Sequence, residues 1–114
     1  MKFEGEGKLL RLFIGEHDRW DGKPLYEAIV MRARAEGMAG ATVLRGIEGF
    51  GAASRVHTSR LLELSSDLPI VVELVDTEDK ITRILPVFDE MVGDGMMTLE
   101  TVHIVTYRAT PKDD

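Results

Sequence analysis

Apolar and polar positions alternate along four stretches of the chain and recur at helical spacing along two. Lys8 to Gly15 (KLLRLFIG) reads as a strand, because alternating side chains line opposite faces of an extended backbone. Asp21-Gly22-Lys23-Pro24 then stops the strand and starts a helix, since proline suits the first helical turn. Leu25, Ala28, Ile29 and Ala33 fall on one face of that helix. Arg32 and Arg34 near its end complement the helix dipole, and Gly37 suits a left-handed cap. Ala41 to Ile47 (ATVLRGI) predicts a second strand, running into the glycine-rich segment Gly46 to Gly51.

Residues 52–67 read as a long loop, small and polar first and then apolar at Leu61, Leu62 and Leu64. Loops this long in compact domains are usually functional. Leu68 to Val75 (LPIVVELV) predicts a third strand, with Pro69 at its start, where a missing N–H is tolerated. Asp76 or Thr77 is placed to cap the next helix, whose apolar stripe is Ile81, Ile84, Leu85, Phe88, Met91 and Val92. Pro86 inside that stripe predicts a kink or break. Gly93-Asp94-Gly95 ends the helix, and Thr98 to Tyr107 is the fourth strand.

The order β-α-β-loop-β-α-β predicts an α+β, ferredoxin-like βαββαβ sandwich, with an antiparallel sheet and two helices on one face. The expected domain spans 8–107, with flexible termini at 1–7 and 108–114. Strands one and three should lie together at the sheet centre. Leu10, Leu12 and Ile14, Leu44, Ile70, Val72 and Leu74, and Val102 and Ile104 are expected to meet the helices. The opposite face then carries Leu9, Arg11, Phe13, Val43, Arg45, Ile47, Val71, Glu73, Val75, Thr101, His103 and Val105. A face this apolar is unsuited to open water. Subunits are therefore expected to pack sheet to sheet, with Arg11, Arg45, Glu73 and His103 at the interface and Arg11 beside Glu73.

Composition narrows the classes. The chain has 114 residues, 44% hydrophobic and 30% charged, the balance of one globular domain. It has no cysteine, hence no disulfide framework and no thiolate metal site. With no membrane-length apolar run and no signal-peptide core, a cytoplasmic location is expected. The absence of Asn and Gln, alongside many charges, is a heat-adapted tendency. Net charge is −6, and residues 67–100 hold nine acids against Lys80 and Arg83. That surface repels a polyphosphate backbone, which argues against nucleic acid.

Several motifs carry a family resemblance. They are Gly15-Glu16-x-Asp18-Arg19-Trp20-x-Gly22-Lys23-Pro24-Leu25-Tyr26, Gly40-Ala41-Thr42-Val43-Leu44-Arg45-Gly46 with Gly49-Phe50-Gly51, and Asp67-Leu68-Pro69 followed by Asp76-Thr77-Glu78. Together they resemble the PII-like family called domain of unknown function 190 (DUF190) and, more loosely, the PII signalling proteins. The resemblance implies a homotrimer with exposed long loops and a nucleotide-sized cleft between subunits, for ATP, ADP or AMP. Carried over, the cleft residues are Gly49, Phe50, Gly51, Gly93, Asp94, Gly95 and Arg108. A partner protein, such as a membrane transporter or channel, would read the long loop. PII proteins usually place a lysine after Gly-Asp-Gly, where this chain has Met96, and a glutamine that serves 2-oxoglutarate, which this chain lacks. Both departures argue against nitrogen sensing.

Other candidates have plain structural readings beside them. Glycines at strand exits and helix ends often only turn the chain. Ser54, Arg55, His57 and Arg60 give the long loop donors for an anion or a partner protein, or are ordinary loop content. His57 with Ser54 or Ser59 offers a nucleophile and base with no visible orienting group, so no catalytic residue is assigned. Glu16, His17, Asp18 and Asp21 are cation-binding residue types without recognised ligand spacing. Trp20 beside them either stacks a base or covers the helix start.

Overall fold

Leu10, Leu12 and Ile14 project from one side of a long first strand, β1 (Lys2–Gly15), and all three are buried. The structure, a computed structural model, describes residues 2–52 and 67–110. After β1 come a small hairpin of β2 (Arg19–Trp20) and β3 (Lys23–Pro24), helix α1 (Leu25–Ala35) and strand β4 (Thr42–Arg45). Strand β5 (Pro69–Asp76), helix α2 (Glu78–Met91) and strand β6 (Met96–Arg108) complete the order. The main sheet runs β4-β5-β1-β6 with every neighbouring pair antiparallel, so β1 and β5 are central as expected. This is a ferredoxin-like α+β fold.

The core joins one sheet face to both helices. Leu10, Leu12 and Ile14 from β1, with Ile70, Val72 and Leu74 from β5, meet Leu25, Ile29 and Ala33 of α1 and Ile81, Ile84 and Phe88 of α2. Thr77 caps α2 by accepting from the amide of Lys80. Gly37 ends α1 at φ +78°, the left-handed conformation that glycine adopts without penalty. Helix α2 continues without a break through Pro86. Pro86 lies on the exposed side, where water can satisfy the carbonyl it leaves unpaired, while buried Ile84 and Phe88 hold the helix on either side of it.

Four expectations need correction. β1 begins at Lys2, not Lys8. Residues 2–7 carry little apolar pattern because they lie beyond the helices, and pairing with β6 alone holds them in a two-stranded arm. β4 is shorter than expected and faces the other way: Val43 packs on the core, whereas Leu44 is 49% exposed. The faces of β6 are also reversed, since Leu99 stands opposite Leu10 and Glu100 opposite Leu9. Val102 and Ile104 therefore share the uncovered face with Arg11. Finally, Asp21-Gly22 forms the turn of the β2–β3 hairpin, both residues at positive φ (52° and 81°), rather than a simple strand stop.

Phe88 is fully buried between both layers. Phe88→Ala should lower unfolding free energy by about 3–5 kcal/mol, measurable by urea titration with fluorescence detection.

Candidate functional site

The glycine turns gather at one end of the sheet, where β1 and β4 finish and β5 and β6 begin. Gly46 donates its amide to the Pro69 carbonyl at 2.8 Å. Gly49, at φ +143°, lies so close that an added β-carbon would be 3.2 Å from the Pro69 ring. At Gly95 an added β-carbon would be 2.7 Å from the Phe13 carbonyl oxygen. These glycines are therefore required by the local fold. Gly51 and Gly93 have nothing within 4 Å of an added β-carbon, and Phe50 is 69% exposed.

Within one chain the expected ligand residues do not converge. Gly49, Phe50 and Gly51 follow edge strand β4, and Gly93, Asp94 and Gly95 precede the opposite edge strand β6, with β5 and β1 between. Arg108 lies at the other end of the sheet, paired with Lys2. Ser54, Arg55, His57 and Arg60 lie outside the described residues.

The turn after β1 is occupied by structural bonds. Glu16 pairs with Arg45 at 2.8 Å, Asp18 accepts from the Gly15 amide, and Asp67 accepts from the His17 amide. These contacts tie the Gly46 strand exit and the chain return at Asp67 to the end of β1. Among the described residues no three His, Asp or Glu side chains are grouped to hold a metal ion. Trp20 stands beside α1 with Ala28 and Met31 around a hollow of 230 Å³.

A larger cleft of 490 Å³ opens at the opposite end, where β5 stops and the β1–β6 arm continues. Its walls include Phe3, Ile104 and Tyr107 from the arm, Met38 to Ala41 before β4 with Thr42 at its start, and Val75 to Thr77 with Lys80 at the start of α2. Asp76, only 7% exposed, fixes this wall by accepting from the amides of Ala39 at 2.8 Å and Thr77 at 2.7 Å. Lys80 donates to the Gly37 carbonyl at 2.9 Å. The sequence pattern did not disclose this cleft, because it arises from unequal strand lengths.

The uncovered sheet face carries a second cluster. Arg11 on β1 bonds Glu73 on β5 at 2.9 Å and Glu100 on β6 at 3.1 Å. The hydrogen bond that Arg11 donates to Glu73 is the main influence raising the Arg11 pKa above its usual value, with the charge of Glu100 adding to it. Arg11 and Glu73 are neighbours as expected, whereas Glu100 was missed because the β6 faces were reversed. Arg45 lies opposite Ile70, and His103 opposite Glu6, so both belong to the helix-side parity and not to this cluster.

Asp76→Ala would strand two amides in the cleft wall. It should cost about 1–3 kcal/mol for each amide left without a partner, read as a lower urea midpoint at unchanged slope.

The family model of DUF190, described as "Uncharacterized ACR", matches residues 7–104. A UPF0166 protein of Aquifex aeolicus (strain VF5) is 42% identical over 100 residues, covering 86% of this chain and 92% of the relative. A UPF0166 protein of Methanocaldococcus jannaschii is 33% identical over 100 residues, covering 87% and 92%. A further UPF0166 protein of Aquifex aeolicus is 35% identical over 68 residues, covering 60% and 71%. No helix of the described residues is long and apolar enough to cross a membrane. With its motifs, its fold and a family match over most of its length in agreement, the chain belongs to the DUF190 family.

Proposed function

We propose that this protein is a PII-like homotrimeric regulator that binds a small anionic ligand, foremost an adenine nucleotide, in clefts between subunits. The segment 52–67 passes the bound state to a partner protein, such as a membrane transporter or channel. The observation that carries the reading is the 490 Å³ cleft beside the arm. Its size lies within the range of small-molecule sites, about 300–1,000 Å³, and it combines apolar walls with a few polar groups, as such sites do. Phe3, Tyr107 and Val75 suit a planar base. Lys80 adds a cation at the α2 N-terminus, where the helix dipole favours negative charge.

Trimer formation is supported by the bare sheet face. Leu9, Phe13, Val71, Val75, Val102 and Ile104 surround Arg11 there, and among the described residues no helix packs over them. The Arg11–Glu73–Glu100 cluster gives that face charges already partnered within the subunit, which lowers the cost of burying them.

Thermal-shift titration tests the ligand. ATP, ADP or AMP at about 100 times Kd should stabilise the protein by roughly 2.7 kcal/mol, and no shift with any of them would refute nucleotide binding. Gly40→Val, at a position that lines the cleft and has nothing within 4 Å of an added β-carbon, should remove the shift without lowering the melting temperature of the ligand-free protein. For the assembly, Arg11→Met would leave Glu73 and Glu100 unpaired in the interface. It should give a smaller species on size exclusion at low micromolar concentration, and an unchanged elution volume would count against burial of this face.

A further inference from the structure

Trp20 and Met31 are two large apolar side chains left open to water, 37% and 53% exposed. They flank the 230 Å³ hollow between the β2–β3 hairpin and α1, with buried Ala28 and Met91 at its floor. The core does not require the hairpin, since none of residues 16–24 belongs to the buried cluster or packs against it. The hairpin is nonetheless held fast. The Leu25 amide donates to the Asp18 carbonyl at 2.8 Å, and Arg19 donates to the Gly22 carbonyl at 3.0 Å. Asp21 takes φ +52°, the one positive value at a non-glycine among the described residues. An apolar surface on so fixed a support is preformed, and a preformed surface binds with little ordering cost.

Size and charge indicate what it binds. The hollow is smaller than the roughly 300–1,000 Å³ of small-molecule sites, and is on the scale of one large apolar side chain. Trp and Met are enriched at protein interfaces, and Met adapts its shape to what it meets. Lys23 and Arg32 edge the hollow against a single acid, Asp21. Arg32 pairs with Glu36 at 2.9 Å, whereas Lys23 has no charged partner among the described residues. The neighbourhood is cationic within an acidic chain. Residues 19–35 hold Arg19, Lys23, Arg32 and Arg34 against Asp21 and Glu27, while the whole chain has net charge −6. Such a local field attracts a negative partner.

We propose that this hollow docks an acidic segment of a partner protein, with one large apolar side chain of that segment seated between Trp20 and Met31. Asp or Glu residues flanking that anchor face Lys23 and Arg32. The anchor supplies most of the affinity, and the rim charges steer the encounter and select against basic segments. The contact is separate from the one proposed for segment 52–67 and does not depend on nucleotide binding. Subunit packing in the proposed trimer uses the sheet face away from the helices, so the two surfaces do not compete.

Trp20 is the only tryptophan of the chain, so its emission reports occupation of the hollow directly. A random peptide display library is panned on the whole protein, and enriched peptides without tryptophan are synthesised and titrated. Enriched sequences should carry an aromatic or large aliphatic residue beside Asp or Glu, and should shift the Trp20 emission to the blue saturably. Met31→Glu should weaken binding by about tenfold or more, the scale of an interface anchor. Lys23→Glu should weaken it several-fold, an effect that fades as salt is raised. Both variants should keep the parent melting temperature, because neither side chain belongs to the core. Enrichment of basic or purely polar peptides, or of none, would overturn the proposal. Unaltered binding to both variants, or saturable binding that leaves the Trp20 emission unchanged, would place the contact elsewhere and overturn it as well. An emission change on dilution of the protein alone, matched by a change of mass in light scattering, would make the occupant a second copy and refute an acidic partner segment.

Discussion

Two helices cover one face of a four-stranded sheet and leave the other face bare. In this protein both α1 and α2 lie on the side of Leu10, Leu12, Val72 and Leu74, and that side forms the whole buried core. The other side is apolar around one arginine and two glutamates, Arg11, Glu73 and Glu100. Much else in the structure depends on that imbalance. A bare face of this kind is stable in water only at low apolar content, or when another surface covers it. The charge cluster is consistent with cover, because its groups are already paired within the subunit, and pairing with hydrogen bonding is what makes buried charge tolerable.

Unequal strand lengths add the second constraint. β5 stops at Asp76 while β1 and β6 continue as an arm, and the gap beside that arm becomes the 490 Å³ cleft. Asp76 keeps the gap open by holding the Ala39 amide on one side and the Thr77 amide on the other. At the opposite end, Glu16, Asp18 and Asp67 fasten the turn after β1, so the chain leaves for residues 52–67 and returns from them at a fixed place. The cleft and the points where the chain leaves the sheet after β4 and returns to it before β5 therefore lie at opposite ends of one sheet.

Much of this was legible in the residues, for identifiable reasons. In β1 and β5 apolar side chains pointing to the core alternate with Arg11 and Glu73 on the other parity, so period-two alternation fixed which side faces the helices. In β4 and β6 both parities carry aliphatic residues, Val43 beside Leu44 and Val102 and Ile104 beside Leu99 and Val105, and alternation could not choose between them. The choice came from packing: Ile104 lies over Gly7, where an added β-carbon would be 2.6 Å from its Cδ1. That reversal hid Glu100 and misplaced His103 and Arg45. The arm was missed because its residues are held by pairing rather than burial, and the cleft because no local pattern encodes where a neighbouring strand stops. The Asp21-Gly22 hairpin was readable from its dipeptide, and Pro24 marks the helix start, as expected, with α1 beginning at Leu25.

Sedimentation equilibrium of the unliganded protein across low micromolar concentrations tests the central claim, that other copies of the chain cover the bare face, most directly. The account predicts a single species at three times the chain mass of 12.7 kDa, persisting on dilution. A stable, soluble monomer at the same concentrations would contradict it, because the face around Arg11 would then be at rest in water.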